Sequence, residues 1–394
     1  MDLWAMAAVA FLVFYSNYMV APLMPAFSRE FGVRPDGLSW LVPGFSIAYG
    51  VSTLIYGVLS DRLGRIPVLL ILLPFASLTT LLISFATSAR ELITLRILTG
   101  LGSGGIVTIA LASIGDRYPY VVQGRPMGTI FGAVAAGMGL GSSLGPILNP
   151  LVGWRSEFRA LAGGFAVIAI FLVRRTRSFI LAKQRSYPYH RIALEYLYVL
   201  RSPRGRRTMA FIFCNGVFHG GIFACLGLLI ASRYRLEDVG IGLVLAGYGL
   251  PDLLFGGMIG GWGDSYGRRY VVPLGFFWAG VCALSLGLPV SPVVAAVIIT
   301  ALSVGFEATH PLMSSIATSL DPGFRGQITG LATFTKFLGM GVGALAFQYL
   351  IGLSFGRALF VFGTSEIVVG LAAIFAFRNE HPAMPITLAR ICGP

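Results

Sequence analysis

Runs of about twenty apolar residues follow one another along almost the whole chain, and they leave little choice of fold. Only 11% of the 394 residues are charged and 56% are hydrophobic, whereas a soluble domain carries about 25% charged residues. Such a chain cannot cover a water-facing surface, so the runs are typical of membrane-spanning helices. The first run follows Met1 and Asp2 directly, without a basic region or cleavage site, and predicts a retained span rather than a signal peptide.

The pattern predicts an all-α integral membrane protein with twelve transmembrane helices in two pseudo-symmetric six-helix bundles. The predicted spans are 3–27, 38–59, 67–87, 92–114, 126–150, 160–174, 208–231, 240–262, 271–289, 292–317, 327–351 and 356–377. Arg155, Glu157 and Arg159 shorten the apolar run of the sixth. We expect an N-terminal half at 1–175, a basic cytoplasmic linker at 176–207, a C-terminal half at 208–378 and a cytoplasmic tail at 379–394.

The distribution of basic residues predicts the orientation. With both termini cytoplasmic, nineteen Lys and Arg fall on the inner side and eight on the outer side, as the positive-inside rule requires. This bias accounts for the net charge of +13, so we expect a lipid bilayer, and no nucleic acid, as the partner surface. We expect a monomer in a bacterial inner membrane. The four cysteines show no paired spacing, which predicts neither disulfides nor a metal site, and no cofactor is indicated.

One charged loop occurs twice. Gly57-Val-Leu-Ser-Asp-Arg-Leu-Gly-Arg65 returns 203 residues later in altered form, and four positions match. The matching pairs are Gly57 and Gly260, Asp61 and Asp264, Gly64 and Gly267, and Arg65 and Arg268. A repeat of this length indicates two six-helix halves related by an axis along the membrane normal. Two basic loops on the inner side would explain the arginines, but not an Asp at a fixed place between two glycines.

The repeated loop resembles the signature loop of the major facilitator superfamily, in both of its expected places. The resemblance implies a secondary transporter that works by alternating access. The second copy departs from the pattern, since Ser265 stands where a basic residue is common. Independently of the family, the glycines allow a tight turn, and Asp61 and the arginines can cap helix ends or pair between the halves. We therefore predict a conformational latch of the inward-closed state, which need not touch the substrate.

Span four contains Gly100-Leu-Gly-Ser-Gly-Gly105, but no strand precedes it, which excludes a dinucleotide site. Together with Arg96, the string resembles the superfamily's fourth-helix motif. A charge inside a span faces a cavity or a partner, so we assign Arg96 to the substrate cavity. The alternative is that Arg96 snorkels to the outer surface.

Span five carries Gly132, Gly141, Gly145 and Pro146, a spacing that resembles the motif of the drug:proton antiporter branch. A glycine face also permits close helix packing, which is the alternative explanation. Pro22 and Pro25, at the end of span one, have the spacing of many such exporters. Asn17 stands where some relatives carry an acid, so a first-half proton site is not evident. We assign Asn17 to the cavity.

Several ionisable residues lie within the later spans, namely His219, Asp252, Glu307, His310, Lys336 and Glu366. A charge at the bilayer centre costs about 2.5–3.5 kcal/mol on insertion scales, so each is a candidate functional group. Glu307 and His310 are three residues apart and share a helix face. We predict that they carry the coupled proton, with Asp252 as a further candidate. The alternative is that Glu307 only neutralises Lys336. His219 is equally compatible with a packing residue and a ligand.

The leading hypothesis is a proton-coupled exporter of small amphipathic or drug-like molecules. Its predicted cavity residues are Arg96, Asn17, Phe218, Tyr248, Lys336 and Glu366. The alternative is a proton-coupled transporter of a small organic anion or metabolite, held by Arg96 and Lys336. An enzyme would need a converging nucleophile and base or metal-ligand spacing, which the sequence does not supply.

Overall fold

The computed structural model describes residues 3–117, 124–175, 196–249, 251, 266–321, 325–378 and 380. The first half contains α1 Leu3–Tyr18, α2 Met24–Phe31, α3 Leu41–Leu63, α4 Arg65–Ile83, α5 Ala89–Arg117, α6 Gly124–Val152 and α7 Trp154–Arg175. The second contains α8 Pro203–Tyr234, α9 Asp238–Leu245, α10 Arg268–Leu286, α11 Pro292–Thr318, α12 Arg325–Ile351 and α13 Phe355–Ala376. Within the described ranges, ten helices are long and apolar enough to cross a membrane.

Span one is two helices rather than one. The chain leaves helical geometry after α1 and re-enters it at α2, which has Pro25 in its first turn. Proline lacks a backbone N–H and suits the start of a helix, where that group would be unpaired. The turn at residues 19–23 lies wholly inside the protein, with Met19 and Leu23 at 0% exposure. The prediction of one continuous helix over 3–27 was therefore wrong.

Two other spans differ from the prediction. The sixth begins at Trp154 instead of residue 160, so Arg155, Glu157 and Arg159 belong to the first turns of α7. Apolar run length underestimates a helix whose end reaches the membrane surface, because charged residues there remain in contact with water or with partners. Span eight begins with α9, and most of its remainder, including Asp252, lies outside the described residues.

The backbone repeats between the halves. Gly64, between α3 and α4, has φ 95° and ψ 149°, and Gly267, before α10, has φ 91° and ψ 139°. Gly32 ends α2 with φ 62°, and Arg235, also 203 residues later, ends α8 with φ 53°. The same turns therefore close the corresponding helices in both halves. We call the face with Gly64 and Gly267 the motif face, and the face with Gly32 and Arg235 the opposite face.

The helices of each half pack in the same arrangement. In the first half α1 packs on α6, α4 on α7 and α3 on α5; in the second, α8 packs on α12 and α10 on α13. Among the described residues, the most extensive contacts between the halves are those of α3 with α12 and of α6 with α9. These two contacts exchange under the repeat, since α3 corresponds to α9 and α6 to α12. The result is two six-helix bundles related by pseudo-symmetry.

A short string on α6, Gly137-Met-Gly-Leu-Gly141, returns on α12 as Gly339-Met-Gly-Val-Gly343. A Cβ on Gly141 would lie 2.6 Å from the Tyr15 carbonyl oxygen of α1, and one on Gly343 would clash with the Val217 carbonyl of α8. The middle glycines face the other half instead. Those contacts are Gly139 with Gly249, and Gly341 with Ile47. Glycine thus brings α6 and α12 close to two neighbours each.

Candidate functional site at the junction of the two halves

The centre of the junction is the imidazole of His219, which is 2% exposed on α8. Its Nε2 lies 2.7 Å from the Tyr18 hydroxyl of α1, and its Nδ1 lies 3.2 Å from the Tyr248 hydroxyl, just beyond α9. Tyr18 belongs to the first half and the other two residues to the second. The imidazole therefore joins the halves by a buried hydrogen bond, and both alternatives for His219, a hydrogen-bonded packing residue and a ligand, stay open.

Aromatic rings surround this hydrogen-bonded group. The Phe306 ring of α11 lies 3.8 Å from the His219 ring, and the Phe223 ring lies 4.5 Å from that of Tyr18 and 5.0 Å from that of Tyr248. All these side chains are less than 5% exposed. The junction is therefore a compact apolar region with three polar side chains at its centre.

The charged residues of α11 and α12 border the same region. Glu307, 7% exposed, lies close enough to Tyr248 for its charge to act on the phenol. The Lys336 ammonium lies 5.0 Å from the centre of the Phe306 ring, and its charge acts on both His219 and His310. His310 stacks in parallel with Phe306 at 5.7 Å. The structure brings the predicted Glu307, His310 and Lys336 to one place.

Arg96 is fully buried on α5, so the alternative that it snorkels to the surface was wrong. Its guanidinium donates to the Ser16 carbonyl at 3.3 Å and to the Asn17 side-chain oxygen at 3.2 Å, and it lies 4.1 Å from the centre of the Phe45 ring. Its Nε has no hydrogen-bond partner. Within the described part of the chain no acidic side chain pairs with it.

The last turn of α1 connects three buried ionisable groups. Ser16 and Asn17 accept hydrogen bonds from Arg96, and Tyr18 bonds to His219. Tyr15 lies within electrostatic reach of Glu157 on α7. Glu157 is 5% exposed, and both of its carboxyl oxygens are buried without a hydrogen-bond partner. Sequence reasoning treated Glu157 only as an interruption of span six, because hydropathy does not show which way a helix face points.

The halves are also joined at the opposite face. Asp238, at the start of α9, accepts hydrogen bonds from Arg29 of α2 and Asn149 of α6, each at 2.6 Å. Nearby, a Cβ on Gly227 of α8 would lie 2.8 Å from the Pro22 Cα. The second half is thus in direct contact with the first around the break between α1 and α2, and the opposite face is closed.

At the motif face, the ion pairs of the first loop join helices of one half. Arg65 contacts Asp61 at 2.5 Å and Asp116, near the end of α5, at 3.0 Å. In the second half Arg268 donates to the Ser315 hydroxyl at 2.9 Å. Gly260 and Asp264 lie outside the described residues. A latch between the halves stays a prediction, and the contacts seen tie α3, α4 and α5 together.

The remaining predicted residues lie apart from the cluster or in its packing. Glu366 is 2% exposed on α13 and lies within electrostatic reach of Cys214, among second-half helices. Phe218, also 2% exposed, belongs to the apolar core. On α6 a Cβ on Gly145 would lie close to Met19, whereas a Cβ on Gly132 would meet no other part of the described structure within 4 Å.

The comparison with protein families agrees with this architecture. The model of the Major Facilitator Superfamily matches the chain twice, over residues 6–237 and 208–390. The chain belongs to the Major Facilitator Superfamily. Members of this superfamily are membrane transport proteins, so the predictions of a transporter and of a non-enzymatic function are confirmed, as is the predicted fold class.

Curated relatives match over most of their length. The chain is 26% identical over 355 residues to the uncharacterized MFS-type transporter YceJ of Bacillus subtilis (86% of this chain, 87% of the relative). It is 25% identical over 385 residues to the multi-drug resistance efflux pump PmrA of Streptococcus pneumoniae (93% and 92%). It is 24% identical over 386 residues to the 4-hydroxybenzoate transporter PcaK of Pseudomonas aeruginosa (86% and 85%).

Among solved structures, the human organic anion transporter MFSD10 matches with a TM-score of 0.74 at 18% identity, covering 95% of this chain and 98% of that chain. At this identity the similarity concerns the fold.

Proposed function

We propose that this protein is a proton-coupled exporter of small amphipathic or drug-like molecules that works by alternating access. The observation that carries the proposal is the position of Glu307, a buried carboxyl group within a membrane-spanning helix that borders the aromatic region between the halves. A carboxyl group placed there changes its surroundings when one half moves against the other.

The chemistry of exchange follows from that position. An ionised carboxylate away from water is costly, so the closed junction favours the protonated acid. Opening the region to water, or the approach of a cationic substrate, favours release of the proton. Glu307 then alternates between proton and substrate, which is what an antiporter requires. His310, on the same helix face, is placed to share the proton.

Two further observations bear on direction. PmrA is named as an efflux pump, and the Pro22 and Pro25 spacing typical of exporters coincides with the break between α1 and α2. Of the glycine pattern of α6, α12 repeats only Gly141, as Gly343, and both glycines have the same packing role. Close helix packing explains Gly141 and Gly145 in either kind of transporter.

The proposal is tested with purified protein in liposomes. Vesicles with an acidic interior should accumulate ethidium, and nigericin, which collapses the pH gradient, should stop accumulation. Vesicles without protein give the background. Ethidium movement that is insensitive to nigericin would contradict proton coupling.

The largest expected effect belongs to Glu307→Gln. It should lower gradient-driven accumulation of ethidium by about 100-fold or more. Downhill exchange of ethidium should remain, because Gln keeps the shape of Glu but binds no exchangeable proton. Glu366→Gln is the matched control, since Glu366 is equally buried but lies within electrostatic reach of Cys214, among second-half helices.

The ion-pair alternative for Glu307 predicts a different result. If Glu307 serves only to neutralise Lys336, Glu307→Gln should destabilise the protein, and the double change with Lys336→Met should restore it. A restored double variant that still accumulates ethidium along a pH gradient would rule out Glu307 as the proton carrier and favour Asp252.

A second candidate function is proton-coupled transport of a small organic anion. It is favoured by Arg96, a fully buried guanidinium without an acidic partner among the described residues, and by Lys336 at the aromatic region. PcaK is named as a 4-hydroxybenzoate transporter. In the liposome assay, this function predicts accumulation of benzoate with an acidic exterior and no response to ethidium.

We also propose that the motif face is cytoplasmic, with both termini on that side of a bacterial inner membrane, and that the transporter is a monomer. The charge asymmetry of the loops supports this orientation. A single cysteine placed at Arg206, which is exposed on that face, should react with a membrane-impermeant maleimide only after the cells are opened.

A further inference from the structure

We infer that Tyr18, His219 and Tyr248 form a binding site for a hydroxyl group of the transported molecule, and that the ligand is a planar aromatic compound. This inference rests on the proposed function in one respect, namely that the junction of the halves is where the substrate binds. It adds the chemical class of the ligand and the side chains that recognise it.

The hydrogen bonds of the closed structure define the first requirement that a ligand must meet. A neutral imidazole donates from one nitrogen and accepts at the other, so one of the two tyrosines accepts and the other donates. Both nitrogens of His219 are in use, at 2.7 Å from Tyr18 and 3.2 Å from Tyr248. In the closed structure each nitrogen of the imidazole thus has a tyrosine hydroxyl as its partner.

The second requirement on the ligand follows from the position of the Tyr18–His219 hydrogen bond, which joins the two halves. Tyr18 lies on α1 and His219 on α8, and Gly227, two turns farther along α8, contacts Pro22 at the closed opposite face. When that face opens, α1 and α8 move apart, and the bond between Tyr18 and His219 is lost. A buried polar group without a partner is costly. A ligand hydroxyl can bond to both Tyr18 and His219 in place of the lost bond, because it donates one hydrogen bond and accepts another.

The surrounding rings define the rest of the ligand. Phe306 lies 3.8 Å from the His219 ring, and Phe223 lies 4.5 Å from the Tyr18 ring. Separation of the halves parts Phe223 from Tyr18 and exposes both ring faces together with the polar atoms, whereas Phe306 stays against His219 in the second half. Offset stacking against such faces favours a flat aromatic ring. An aliphatic ligand of equal size would bury apolar area but gain no stacking.

The test uses a matched pair of probes, 7-hydroxycoumarin and 7-methoxycoumarin, which share a planar ring system and differ in the ability to donate a hydrogen bond. Binding to the full-length protein in detergent is measured by equilibrium dialysis. The wild-type protein should bind the hydroxyl compound about tenfold more tightly, the effect expected for one buried hydrogen bond.

Two variants and one control locate the site. Tyr18→Phe and His219→Asn should bind both coumarins with equal affinity, since each removes a partner of the hydroxyl group. Tyr15→Phe is the control, because Tyr15 is one turn away on the same helix and its hydroxyl makes no hydrogen bond to any residue in the described ranges. It should keep the tenfold preference. Thermal unfolding of each variant checks that it is folded. If one of the two site variants does not fold, the other is sufficient to test the site.

Equal binding of the two coumarins to the wild-type protein, binding of neither, or a preference that survives in both variants would each overturn the inference. These results are independent of proton coupling. A hydroxyl preference without gradient-driven transport would contradict the proposed function alone, and gradient-driven ethidium transport without the preference would contradict this site alone.

Discussion

The two halves of this transporter share a backbone but differ in buried charge. Gly102 of α5 approaches α4 at Ala76, and Gly305 of α11 approaches α10 at Ala279, an offset of 203 residues for both helices. On α1 and α8 the offset is 202, because Gly137 contacts Phe11 where Gly339 contacts Phe213. These contacts allow residues of the two halves to be matched one by one.

The matched positions carry different chemistry. Glu307 corresponds to Gly104, His310 to Val107, Lys336 to Val134 and His219 to Asn17. In the reverse direction, the fully buried Arg96 corresponds to the equally buried Ile299.

The comparison shows that the turns and several close helix contacts repeat between the halves, whereas the buried ionisable groups do not. The positions that repeat are those where a turn or a close helix contact demands glycine. The positions that differ carry a buried ionisable group in one half only, and one of them, Gly104, packs closely on Tyr49 of α3 where the second half has Glu307. Among the described residues, the second half contributes Glu307, Lys336, His219 and His310, and the first half contributes Arg96, held by the last turn of α1, and the buried Glu157.

Glycine substitutions test whether the scaffold is equally demanding in both halves. Gly141→Ala and Gly343→Ala should each destabilise the protein by about 1–3 kcal/mol, because the added methyl group meets the backbone of α1 or α8. Gly132→Ala, with open space around it, should change the unfolding temperature little. Thermal unfolding in detergent gives the comparison. Destabilisation confined to Gly141→Ala would indicate that the α6 motif has a role that α12 lacks.

Arg96→Ile replaces the first-half cation by its second-half counterpart. Since Ile299 fills the matching position, we expect the variant to fold, but the turnover rate should fall about tenfold or more because buried hydrogen bonds from a charged group to α1 are lost. Transport per folded molecule in liposomes is the measurement. An unchanged rate at normal membrane levels would show that Arg96 has only a packing role.

Asp238→Asn addresses the closed opposite face. Removing the negative charge that Arg29 and Asn149 contact should raise the population with an open opposite face about three- to tenfold. The effect is modest because Arg29 is more than half exposed, so solvent screens the ion pair. Cys225, free and 2% exposed on α8, reports it. In a background with the other three cysteines replaced by serine, N-ethylmaleimide should label Cys225 faster. A labelling rate equal to that of the parent would contradict a gating role for Asp238.

Asp61→Asn should have the smallest effect. The Asp61 and Arg65 pair is partly exposed, and such pairs contribute about 0–1 kcal/mol, so transport should fall about two- to fivefold. Coumarin and ethidium affinities should stay the same, since the pair lies at the motif face. A large loss of affinity in detergent would contradict the predicted latch role.

The sequence by itself determined the fold class, the internal repeat and the approximate place of most membrane-spanning helices. Apolar run length fixes a membrane helix, and the turn at Gly64 depends on residues next to it in the chain, so both can be recognised without tertiary information. The gathering of Glu307, His310 and Lys336 was also predicted in part, because intramembrane charges are few and costly.

Only the tertiary structure decided which groups meet across the halves. The Tyr18 and His219 pair joins residues 201 apart, and Asp238 meets Arg29 across 209. Glu157 points into the protein although its neighbours are charged, and Arg96 lies in the interior rather than at the surface. Helix rotation and the angle at the α1 break set these contacts. Both result from packing between distant segments, which local hydropathy does not encode.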